Sequence, residues 1–206
     1  MNKDWILFFL VGFAPGIALL LRGLVWGADS FAFWGVSCGL DKYALKLASP
    51  SWFVWFIQEI INCNFFVLVF FMIVFYLASL WGIYQFGKNL FAHQALLFPI
   101  LVGSLTPLFF IEALRFENDF FGWCLCWFGV GLWFWLIEHK TLRFVALLPI
   151  VFGVILWFPS IFIVVIPLFY VGFVRKHLNL LISIGLIVLF VVYGWYFIHS
   201  FTQGIG

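Results

Sequence analysis

Long apolar runs separated by short polar stretches make up most of this chain, a pattern that suits helices solvated by hydrocarbon better than helices with one wet face. The first run extends from Trp5 to about Val25, with a kink expected at Pro15-Gly16, and closes at Arg22-Gly23. It is longer than a signal-peptide core, has no small-residue cleavage site and is followed by further runs, so it reads as transmembrane helix one. Gly27 to Asn62 is too polar to span, with Asp29-Ser30, Asp41-Lys42, Lys46, Ser49-Pro50-Ser51 and Gln58-Glu59 distributed along it. Within it, Trp52, Trp55, Phe56 and Ile60 or Ile61 fall on one face at helical spacing, the mark of a helix lying in the membrane interface.

Five more spans follow Cys63 to Phe86, which is uncharged throughout and precedes the polar turn Gly87-Lys88-Asn89. They are Leu90 or Phe91 to Leu114, Phe120 to Ile137, Leu142 or Arg143 to Phe158, Ile161 to Val174, and Leu178 to His199. The expected fold is therefore all-α and polytopic, about seven transmembrane helices with interfacial helices in the first outer loop. Residues 1–206 are expected to form a single transmembrane domain with no separate soluble domain and no internal repeat.

Lys and Arg accumulate in cytoplasmic loops. With a cytoplasmic N-terminus, that side holds Lys3, Lys88, Lys140, Arg143, Arg175 and Lys176 against Asp4 and Glu138, a balance of +4. The opposite side holds Arg22, Lys42, Lys46 and Arg115 against six acids, a balance of −2. The expected orientation is N-terminus inside and C-terminus outside. It places Asp29 and the acids Glu117 and Asp119 on one extracytoplasmic face.

Composition strengthens the membrane reading: 67% of residues are hydrophobic, 31 are Phe and 12 are Trp, and mean hydropathy is +1.21. No soluble chain of this length can bury so much apolar surface. A net charge of +2, scattered rather than striped, argues against nucleic acid as a partner. Cys38, Cys63, Cys124 and Cys126 form neither a CxxC nor a zinc pattern, and the last two lie in an apolar helix where a thiol acts as a small hydrophobe. His93, His139 and His177 lie near cytoplasmic ends beside basic residues and read as headgroup contacts.

Against this background Arg115-Phe116-Glu117-Asn118-Asp119 concentrates three charges in five residues of a chain that is 9% charged. On a regular helix Glu117 and Asp119 would point about 200° apart, whereas in a turn they can converge. With Asp29 they would supply three carboxylates to a hard divalent cation, Mg2+ or Mn2+, and Arg115 would offer a planar fork to a substrate phosphate. Two plainer readings stand beside this one. The acids can be hydrated, with Arg115 paired to Glu112 or Glu117, and Asp29 can cap a helix beginning at Phe31.

The order of these features resembles the C-type (GT-C) glycosyltransferase superfamily, in particular its oligosaccharyltransferase-like members. Gly27-Ala28-Asp29-Ser30-Phe31 looks like that family's first-loop aspartate motif, and Glu117-Asn118-Asp119 looks like its DxD/ExD motif. The resemblance implies that Asp29 is the catalytic or metal-binding acid and that Glu117 and Asp119 help hold a divalent metal. It also implies a polyprenyl-phosphate-linked sugar donor that enters from the bilayer, and a sugar or oligosaccharide passed to an acceptor the sequence does not identify. The extra helices and soluble C-terminal domain of many relatives have no counterpart here. That leaves open a partner subunit, or a non-catalytic membrane subunit of a larger assembly, as the alternative. A transporter ranks third because the helix centres lack polar residues.

Overall fold

A computed structural model of the chain describes residues 3–23, 28–40, 49–91, 99, 116–136, 142–157, 160, 161 and 163–165. All regular structure among them is helical. In chain order the elements are α1 (Lys3–Arg22), α2 (Ala28–Ser37), α3 (Ser51–Trp55), α4 (Phe65–Phe91), α5 (Asn118–Trp135) and α6 (Leu147–Leu156). A π-helical turn, Phe56–Ile61, continues α3, and a 3-10 turn, Leu142–Ala146, leads into α6.

Among the described residues two helices, Trp5–Arg22 and Phe65–Lys88, are long and apolar enough to cross a membrane. Their outward faces carry large apolar side chains, Leu21 at 80% exposure and Phe66 at 74%. Such surface is costly in water and neutral in hydrocarbon. α4 runs through the expected polar turn Gly87-Lys88-Asn89 to Phe91. At 1.5 Å per residue it is about 40 Å long, more than a hydrocarbon slab of about 30 Å, and the polar residues do not end it. Lys88 suits that last turn, where its ammonium lies 5.6 Å from the centre of the Tyr84 ring. The expected third, sixth and seventh spans lie largely outside the described residues.

α5 is central, packed against α4 on one side and α6 on the other, while α1 packs on α4. Backbone approaches backbone in both contacts. A Cβ at Gly82 of α4 would run into the carbonyl of Trp127, and Gly131 of α5 faces Gly82 in turn. On the other side, a Cβ at Gly153 of α6 would stand 2.7 Å from the Gly122 carbonyl oxygen. Lipid tails give no hydrophobic drive to pair apolar helices, so close approach at small residues is what holds them.

The segment 51–61 is helical as expected, and it turns one apolar face inward and another outward. Phe53, Ile57 and Ile61 are buried, whereas Trp52, Trp55 and Ile60 lie at the surface. Positions four apart share a face of such a helix, and the second half of the segment winds as a π turn, with Asn62 N–H bonding to the Ile57 carbonyl at 3.2 Å.

Candidate functional site

The acidic site is built where the start of α2 meets the start of α5. α2 begins at Ala28, so Asp29 lies within its first turn, and a helix starting at Phe31 with Asp29 as its cap is not what forms. Glu117 is extended (φ −137°, ψ 155°) and occupies the N-cap position of α5, but its side chain does not bond to its own helix. It reaches across to α2, where the Ser30 hydroxyl donates to Glu117 Oε1 at 2.9 Å. Ser30 is fully buried and Glu117 is only 9% exposed, so this bond joins two turns 87 residues apart inside the protein.

Asn118 closes the other side. Its Nδ2 donates to the Leu156 carbonyl at 3.1 Å, tying the start of α5 to the end of α6, and its Oδ1 accepts the Asp119 N–H. Asp119 is half-buried in the first turn of α5. A carboxylate there is favoured by the exposed N–H groups and the positive end of the helix dipole.

Aromatic packing fixes these turns from beneath. Phe33 of α2 lies 5.9 Å from Phe116, and Phe116 lies 6.1 Å from Phe121. Phe53 of α3 touches both Phe33, at 5.9 Å, and Phe121, at 5.3 Å. Beside this cluster opens an apolar cavity of about 250 Å3, bounded by Trp52, Phe53, Phe56, Phe75, Phe121 and Leu156 among others. Phe121 and Leu156 thus belong both to the cavity wall and to the frame of the acidic turns.

Of the sequence-predicted residues, Glu117 and Asp119 lie at the start of α5 and Asp29 at the start of α2. The Asp29 side chain and all of Arg115 lie outside the described residues. Glu117 and Asp119 offer oxygen ligands of the hard type that Mg2+ or Mn2+ prefers, and with Oε1 of Glu117 engaged by Ser30, a cation would take Oε2. Among the described residues no three His, Cys, Asp or Glu side chains group as a metal site, and the Asp29 carboxylate lies outside them.

Two features escape the sequence reading. Ser30 stands in the quoted aspartate motif without a role, its signal being only its place beside Asp29. Cys38 and Cys63 form a disulfide, Cα–Cα 4.5 Å. The signal in the sequence is that both fall in or beside the one loop expected on the outer side, where oxidised pairs survive. Cys124 and Cys126 are free and buried, and Cys126 is more than a small hydrophobe, with its Sγ 3.0 Å from the Ser160 hydroxyl. Compared with protein-family models, curated proteins and solved structures, the chain matches none.

Proposed function

We propose that this chain is a multi-pass membrane glycosyltransferase of about seven spans, transferring a sugar or oligosaccharide from a polyprenyl-phosphate-linked donor at the extracytoplasmic face. The observation that carries the reading is the Ser30–Glu117 hydrogen bond. Through it the turn bearing Asp29 and the turn bearing Glu117 and Asp119 become neighbours. The apolar cavity next to them supports a lipid-linked donor, because the first isoprene units can leave hydrocarbon for an aromatic wall without meeting water.

In this reading the acceptor's nucleophilic atom bonds to the anomeric carbon as the bond from that carbon to the phosphate oxygen breaks. Asp29 takes the acceptor's proton, and polyprenyl phosphate departs. Arg115 holds the phosphate with paired N–H donors. Asp29, Glu117 and Asp119 would hold a divalent cation, Mg2+ or Mn2+, which would supply Lewis-acid stabilisation to the leaving phosphate.

The test is transfer of radiolabelled sugar from a polyprenyl-phosphate donor in proteoliposomes. Asp29→Ala and Asp119→Ala are each expected to lower transfer at least about a hundredfold, and chelation is expected to abolish it until Mg2+ or Mn2+ is restored. Undiminished transfer in both variants would overturn the assigned roles. A second reading, a non-catalytic subunit, draws on the burial of Glu117, since a carboxylate held by a buried serine also serves as a structural tie. A stable partner on purification, with folding indifferent to divalent cations, is the outcome it requires.

A further inference from the structure

α2 is held at both ends, and the two attachments differ in kind. At its start Ser30 bonds to Glu117. At its end Gly39 turns left-handed (φ 75°), its N–H bonding to the Val36 carbonyl at 3.0 Å and Leu40 N–H to the Gly35 carbonyl at 3.0 Å. That closing motif leaves Cys38 as the last residue of the helical path. Its disulfide partner, Cys63, lies in the short junction between the π turn and α4. The junction is itself fixed: Asn62 and Cys63 are both left-handed (φ 45° and 56°), and Asn64 Oδ1 caps α4 by accepting the N–H groups of Phe66 and Val67 at 3.1 and 3.2 Å. The disulfide therefore anchors α2 to the rigid start of a long membrane-length helix.

We infer that the Cys38–Cys63 disulfide is an extracytoplasmic clamp that keeps α2 seated, so that Ser30 stays on Glu117 and the two acidic turns stay together. The clamp takes its sidedness from the orientation in the proposed function, but it needs no sugar chemistry. Cys63 is exposed and Cys38 half-buried, so a water-soluble reagent can reach the bond. Cys124 and Cys126 are wholly buried and give no background.

The experiment uses the full chain in right-side-out and inside-out membrane vesicles. A membrane-impermeant phosphine cleaves the bond to two thiols and is itself oxidised, with water, to the phosphine oxide; an impermeant maleimide mass tag then counts the thiols. The expected result is no tag before reduction, two tags after it in right-side-out vesicles, and none in inside-out vesicles. Tagging without reductant, or two tags in inside-out vesicles only, would overturn the clamp or its sidedness. Hydrogen exchange of the purified protein in lipid nanodiscs supplies the second measurement. Reduction, or the pair Cys38→Ser and Cys63→Ser, is expected to speed exchange of amides 31–37 at least tenfold while amides 122–134 keep their protection. Equal rates over 31–37, or protection lost everywhere at once, would sink the idea of a local clamp. A protein that transfers no sugar but passes both measurements would refute the glycosyltransferase reading and leave the clamp standing.

Discussion

Ser30 and Glu117 show how much one hydroxyl decides when it is buried. Removing the serine oxygen leaves Oε1 of Glu117 without its donor in a place only 9% exposed. Such a loss costs about 1–3 kcal/mol, more when the group is charged. Ser30→Ala is thus expected to lower the unfolding midpoint in detergent, and Ser30→Thr to restore part of it. A double-mutant cycle with Glu117→Gln should report a coupling of about 0.5–3 kcal/mol, and a coupling of zero would mean the two side chains do not meet. None of this was readable from the sequence. The motif around Asp29 could be marked by its acid, but a serine becomes important only through the residue it touches, here 87 positions away.

At the level of elements, the helices that face lipid were legible because a hydrocarbon solvent forces backbone groups to be satisfied locally and apolar side chains to run unbroken. α1 and α4 follow that rule closely. Segment 51–61 is less legible, because apolar residues stand on both of its sides and the spacing of Trp and Ile does not say that Phe53, Ile57 and Ile61 take the inward one. The helix contacts give a sharper test. Gly131→Leu and Gly153→Val each place a branched chain against a neighbour's backbone or against a buried cysteine, and overpacking of this kind costs about 1–3 kcal/mol or more. Thermal unfolding of both variants should show lowered midpoints. Phe70→Leu, on an outward face at 60% exposure, should unfold at the wild-type temperature.

For the whole molecule, the sequence points to a solvent, and to an expected sidedness, more readily than to a reaction. Charge balance needs only the identity of the loops, whereas the site depends on contacts between distant turns and on Asp29 and Arg115, whose side chains lie outside the described residues. The sidedness is open to a direct test: a short epitope at the N-terminus should resist protease in right-side-out vesicles and be cut in inside-out ones, and the reverse would invert every face assigned above. The close passage of Gly82 and Gly131 carries one more consequence, for how such a chain can drift. Lipid solvates Phe, Leu and Val almost alike, so outward letters such as Phe66 are nearly interchangeable, while a glycine at a backbone crossing admits no larger neighbour. Substitution is then expected to be confined at the small residues of the crossings and free among the outward apolar letters.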